Sequence, residues 1–328
     1  MTVAVVGGGI TGAACAAALR RRGIGVRLMD RGQRLGGRMA VRTLRETGTG
    51  LDGRVVDIGA SYLTTRNAEF TAVVEDWVAR GLARPWTDTF HVADPDGIIA
   101  TRTGPMRYAA PAGLRSLVED LIAGSLAPQD VHHPHDVQTV DRCDGGARVD
   151  GELMDAVALC MPGPQVVDLL DRHDEELEKM RLMCGAITWE PVLSMTAIFS
   201  GRCWPELDGV FVNDDPVLTW IADDGQRRGD GAPVLVAHAD PVLSALHAPD
   251  PMTAAPAMVA ALRRILQLGE QPEWVEVKRW GLARPSMAHA EPFLSVDGIG
   301  VAGDTWAAGP RIESAWLSGH SLGNALVR

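Results

Sequence analysis

Cysteine is scarce in this 328-residue chain. The five thiols, at 15, 143, 160, 184 and 203, are odd in number and form no C-x-x-C pair. That excludes a disulfide framework and a zinc ribbon, and it suits a reducing compartment. Clustered positive charge is also missing: the formal net charge is -11, and the longest basic block is Arg20-Arg21-Arg22. A nucleic-acid binder gains its affinity by releasing counterions to a basic face, so nucleic acid is not an expected partner. Lysine occurs only as Lys179 and Lys278, tyrosine only as Tyr62 and Tyr108, and aromatics make up 5% of the chain. Thr2 to Leu19 carries no charge, but the arginines follow this stretch instead of preceding it, and Gly7-Gly8-Gly9 interrupts it. It therefore reads as neither a secretory signal nor a membrane anchor; no membrane partner is expected, and the chain is read as cytoplasmic.

What is present is ordinary globular material, with 46% hydrophobic and 22% charged residues. The length suits one large domain or two, with a core needing no staples. Val3 to Val6 is a short strand stopped by three glycines, Thr11 to Arg22 is an Ala-rich helix ended by Gly23, and Val26 to Met29 is a second strand. Strand, glycine turn, helix and strand predict a βαβ unit and a parallel sheet. Further along, Leu114 to Ile122 and Ala254 to Leu268 are predicted helices, and the charge run Asp171 to Lys179 a solvated helix face. Ala156 to Met161, Val192 to Phe199, Val210 to Val212, Val217 to Ile221, Val234 to Ala237, Trp274 to Trp280 and Ile299 to Ala302 are predicted strands. A last helix starts near Arg311.

Gly7-x-Gly9-x-x-Gly12 lies between the first strand and helix. The first glycine permits a tight turn, the second lets backbone approach a pyrophosphate, and the third lets helix and strand pack closely. The helix start at Ile10 and Thr11 presents N–H groups to a phosphate. Asp30, at the end of the second strand, is placed to accept ribose hydroxyls. An ordinary turn in a chain with 36 glycines is the plain alternative.

Asp30-Arg31 followed by Leu35-Gly36-Gly37-Arg38-Met39 resembles the second signature of the flavin amine oxidase superfamily, and Val301-Ala302-Gly303-Asp304 its late Gly-Asp. Asp57 to Arg66, Lys278 to Pro285 and Arg311 to Gly319 resemble the bacterial renalase-type branch. The resemblance implies an α/β fold: an FAD-binding, Rossmann-like domain of the glutathione-reductase type with a second, mixed α+β substrate domain. It assigns 1–68, 106–165 and 293–328 to the first and 69–105 and 166–292 to the second. Dissociable, non-covalent FAD is implied, since no cysteine stands in the C-terminal flavin segment. The cofactor contacts implied are Gly7, Gly9, Ile10, Thr11, Gly12, Asp30, Arg31, Gly37 and Arg38 at the start of the chain. Gly59, Ala60, Ser61 and Val137 follow, then Gly303, Asp304, Arg311 and Ile312. Renalase-type enzymes pass hydride from isomeric reduced nicotinamide dinucleotides to FAD and electrons on to O2, which implies a small-molecule substrate. Tyr62, Trp220, His238 and Trp280 are the candidate catalytic and pocket residues, with Trp306 a further wall candidate. A Tyr62–Tyr108 pair would be needed to build the tyrosine pair of true amine oxidases.

One departure bears on the substrate. Where the branch carries Arg-Asn after Trp220-Ile221-Ala222, this chain has Asp223-Asp224, which reads either as a cation-attracting pair or as an exposed turn. Oxidation of a small amine or other metabolite, and flavin binding without turnover, therefore stay open. Two further motifs are dismissed. Gly319-His320-Ser321-Leu322-Gly323 matches a nucleophile elbow, but no acid or histidine follows it. His132-His133-Pro134-His135 lacks partners at ligand spacing, so no metal is expected.

Overall fold

The computed structural model describes residues 1–307 and 309–327. Contacts divide the chain into two compact units. One holds Met1–Met39, Arg115–Thr188 and the chain from Pro285 onward; the other holds Ala40–Leu114 and Trp189–Arg284.

The first unit is built on β1 (Thr2–Val6), α1 (Ile10–Arg21) and β2 (Gly25–Met29). β1 pairs in parallel with β2 on one side and with Ala156–Leu159 on the other. Val131–His132 continues the sheet beyond β2, Ile299–Val301 continues it beyond Ala156–Leu159, and antiparallel Leu294–Val296 closes that edge. The chain thus leaves β1 in both directions, so the carboxyl end of β1 is a topological switch point, where such sheets open a crevice. The third motif glycine is dictated by packing: a Cβ on Gly12 would stand 1.9 Å from the Gly7 carbonyl oxygen.

The second unit is a seven-stranded sheet. Its strands run in the order Trp274–Pro285, Trp189–Ile198, Val234–Ala239, Leu218–Asp223, Gly209–Val212, Arg84–Asp94 and Gly97–Ala109. One face buries Leu193, Met195, Leu235 and Ala237 with Met258, Leu262 and Ile265 of the helix Ala255–Leu266. At roughly 25 cal/mol per Å² of apolar area removed from water, such clusters are the main stabilising term.

The contact boundaries differ from those read off the motifs. Residues 40–68 and 106–114 belong by contact to the second unit because Leu44, Val56 and Ile58 pack against Ile198, Val234 and Val236 of its sheet. Residues 166–188 belong to the first, where Val166, Leu170, Leu177, Met180 and Cys184 enter its core. The run Asp171 to Lys179 is not one helix face. Asp174 caps a 3-10 turn at Glu175–Leu177 and pairs with Arg142, and the α-helix begins only at Glu178. Among the described residues, no helix is long and apolar enough to cross a membrane.

Candidate functional site

In the first unit, polar groups collect at the carboxyl ends of the parallel strands. α1 starts from Gly9, which has no side chain to cap it, and no acid stands in its first turn. Its leading N–H groups are therefore left without a side-chain acceptor from the cap position. Asp30, just beyond β2, accepts the Gly8 amide on one oxygen at 2.6 Å and the Gly32 amide on the other at 2.7 Å. Those bonds fix the carboxylate while each oxygen keeps acceptor capacity.

Arg38 lies in the turn Gly37–Met39 and grips both oxygens of Asp304 at 2.7 and 2.5 Å, joining the second motif to the late one. Beside this pair the backbone is bare: a Cβ on Gly9 would find only the Gly37 Cα within 4 Å, at 3.9 Å. The C-terminal helix, Ile312–Ala325, begins after Arg311, whose side chain does not cap it. An uncapped helix start, a guanidinium fork and a carboxylate ending the second strand are the complement of a dinucleotide: donors for pyrophosphate, an acceptor for ribose. These residues fit such a cofactor.

Other implied contacts of the first unit are placed less suggestively. Arg31 is exposed and Thr11 buried. Val137 is buried in the core, just before the strand Val140–Cys143, and the Gln138 and Thr139 amides both donate to Asp150 Oδ1. Trp306 is buried in the core of this unit, with His289 at 4.5 Å between ring centres. Among the described residues, no group of three or more His, Cys, Asp or Glu side chains could hold a metal.

Gly59, Ala60, Ser61, Tyr62, Trp220, His238 and Trp280 all fall in the second unit. The segment from Asp57 to Ser61 is held by its carbonyls: Arg227 donates to Asp57 at 3.1 Å and Ser61 at 3.2 Å, and the Trp280 indole donates to Ile58 at 2.8 Å. The Asp57 carboxylate accepts the Leu114 amide at 2.8 Å and Arg228 at 3.3 Å. Burial pushes its carboxyl up, with Arg227 and Arg228 opposing.

Asp223 and Asp224 are neither an exposed turn nor a site for a cation. Both side chains are wholly buried. Asp223 caps the short helix Asp224–Arg228 through the Gln226 amide and takes the Trp204 indole at 2.7 Å, with Arg202 beside it. Asp224 is surrounded by Arg227, Arg228 and Arg54. Burial alone would raise its carboxyl, but the three guanidiniums outweigh burial and hold it well below the usual range. A carboxylate moved out of water persists when paired this closely. Sequence reasoning missed Arg54, Arg227 and Arg228, although Asp224 with arginines three and four residues on is a legible helical pairing.

Tyr62 does not pair with Tyr108. Tyr108 exchanges backbone hydrogen bonds with Leu63, whereas the Tyr62 ring meets Phe90, Trp220 and Trp86 at 5.3, 5.9 and 6.4 Å. Arg107 lies over Phe90, 3.9 Å from the ring centre. Burial raises the Tyr62 phenol, with Arg107 opposing. Phe90, Trp86 and Arg107 come from the hairpin Arg84–Asp94 and Gly97–Ala109, whose Pro95-Asp96-Gly97 turn was a readable signal. Lys278 pairs with Glu276 at 2.9 Å. His238 is held uncharged, its pKa lowered to about 3 by burial and then by the charges of Arg284 and Arg227.

Comparison with known proteins gives two consecutive matches along the chain. A Rossmann-like NAD(P)-binding domain pattern matches residues 5–77, and that of flavin containing amine oxidoreductases matches residues 79–322. Renalase of Mus musculus is 29% identical over 178 residues, which span 51% of this chain and 48%, about half, of that relative. Among solved structures, a triple mutant of putrescine oxidase superimposes with a TM-score of 0.78 at 17% identity, covering 98% of both chains. Cyclohexylamine oxidase from Brevibacterium oxydans IH-35A gives 0.77 at 11% identity, covering 99% of this chain and 98% of its own. These two similarities speak for the fold.

Proposed function

The chain belongs to the family of flavin-containing amine oxidoreductases and is an FAD-dependent oxidoreductase, and from that premise we propose that it oxidises isomeric reduced nicotinamide dinucleotides, with O2 as electron acceptor. Bound FAD supplies the acceptor for a substrate hydride. The residues proposed to hold it in the first unit are the N–H groups at Gly9 to Gly12 and Arg38 for the pyrophosphate, and Asp30 for the ribose. Arg38 reaches its place through Asp304, so the late Gly303-Asp304 motif orients the fork. Arg311 and Ile312 begin a helix whose amide end favours negative charge on whatever lies before it.

The second unit is proposed to take the substrate. The observation that carries this reading is the state of three buried acids: Asp57, Asp223 and Asp224 are all engaged by arginines, so none of the three remains to receive an ammonium. What the sheet presents instead is the aromatic group of Tyr62, Trp86, Phe90 and Trp220, suited to a flat ring. His238, uncharged across the physiological range, offers a hydrogen bond without repelling a ring near neutrality. The partial match to renalase supports the same substrate class.

The test is anaerobic mixing of the FAD-loaded protein with a mildly isomerised NADH preparation while flavin absorbance is followed. Bleaching is expected. A flavin that stays yellow under isomerised NADH, or that bleaches only with a small amine, overturns the proposal.

A further inference from the structure

In the first unit, one buried hydroxyl holds the segment that carries the late motif. The Ala302 amide donates to the Leu159 carbonyl of the neighbouring strand at 3.1 Å. The next amide, that of Gly303, turns out of the sheet and donates to Ser318 Oγ at 2.9 Å. Ser318 lies within the C-terminal helix and is fully buried. Its own proton goes to the Pro292 carbonyl at 2.6 Å. A hydroxyl has one proton and two lone pairs, so both bonds are made at once. A serine inside a helix ordinarily points to solvent or bonds back to the carbonyl four residues earlier. Here it instead ties down two segments that precede it by 15 and 26 positions.

Each neighbour of this hydroxyl leads to a part of the cradle proposed for FAD. Gly303 is followed by Asp304, whose carboxylate grips two nitrogens of Arg38. Gly319, the next residue of the helix, leaves a Cβ position only 2.0 Å from the Thr11 carbonyl oxygen, so the helix lies directly against the first turn of α1. We propose that Ser318 is a positioning residue for FAD: by holding the Gly303 amide it sets Asp304, and through Asp304 it aims the guanidinium of Arg38. The inference rests on the proposed placement of Arg38 at the pyrophosphate. Without the hydroxyl, the Gly303 N–H has lost its buried acceptor, and a turn that finds another acceptor moves the residue after it. Arg38 then keeps its charge and loses its alignment, on which a planar fork depends more than a point charge does.

The protein equilibrated with FAD is diluted in steps, and the flavin that passes an ultrafiltration membrane gives the dissociation constant. Ser318→Ala, Arg38→Ala and the double variant are compared with wild type. Ser318→Ala is expected to raise the dissociation constant about 10-fold, the size of one weakened charge-assisted contact. Added to Arg38→Ala, it is expected to cost less than about 2-fold more, because no fork remains to be aimed. A serine that only stabilises the fold predicts instead that the two losses multiply, to about 100-fold. Multiplied losses, or a Ser318→Ala protein that binds FAD as tightly as wild type, overturn the proposal. Ser318→Cys keeps the size and a weak donor, and it decides by the same cycle where the alanine variant does not fold: coupled losses support the proposal, and multiplied losses or none overturn it. Failure of the underlying placement has a different signature. An Arg38→Ala protein with wild-type affinity removes Arg38 from the pyrophosphate and this inference with it, whereas a loss in Arg38→Ala alone removes only the role of Ser318.

Discussion

At the scale of single residues, Arg38 carries the clearest burden. Its fork is aligned by Asp304 from the far end of the chain, and the role proposed for it is to donate to a pyrophosphate. Arg38→Ala is therefore expected to cut flavin retention about 10-fold through loss of a charge-assisted contact, measured as FAD per protein after gel filtration. Full flavin occupancy in the purified variant would contradict the placement. The motif around Arg38 was legible because adjacent residues carry it. The fate of Asp223-Asp224 was not: their meaning depends on Arg54, Arg202 and Trp204, which only folding brings to them. Trp280 likewise acts through an indole bond to the Ile58 carbonyl that no local pattern announces.

At the scale of elements, a tight constraint lies between α1 and the C-terminal helix. A Cβ on Gly319 would lie 2.0 Å from the Thr11 carbonyl oxygen, inside the first turn of α1. Gly319→Ala must push apart two helices at the end where α1 presents its amides. It is expected to cost about 1–3 kcal/mol of stability by overpacking, read from urea denaturation, together with lower flavin content. A variant as stable and as yellow as wild type would show that the helices accommodate the methyl. The elements around the glycine motif were visible in the sequence, α1 and both opening strands within a residue or two, because their periodicity and glycine stops are local signals. The long hairpin from Arg84 to Ala109 was not, since its outer strand is mostly exposed and lacks an apolar face.

At the scale of the whole molecule, buried ionisable groups tie stability to pH. His238 is neutral in the folded chain down to about pH 3, whereas the unfolded chain protonates near 6.5. Below that value the unfolded state binds the proton first, so stability falls on acidification between the two, by about 1.4 kcal/mol per pH unit per proton at most. Asp224, held low when folded, adds its loss in the same direction at more acid pH, while Asp57, held high, opposes it. His238→Gln should flatten the dependence from about pH 4 to 6 relative to wild type, measured by urea midpoints; parallel curves would mean that the imidazole titrates freely.

The chain alone determined what neighbouring residues can determine: a βαβ opening, a glycine turn before the first helix, an acid ending the second strand, and the presence of an early Gly-Gly-Arg and a late Gly-Asp. Tertiary structure decided which charges remain available. Burial makes an isolated carboxylate too costly, so Asp57, Asp223 and Asp224 had to find arginines. The same folding gathered Tyr62, Trp86, Phe90 and Trp220 from separate strands and loops into one aromatic face. Those outcomes depend on contacts between residues far apart in the chain, and a linear pattern has no term for them.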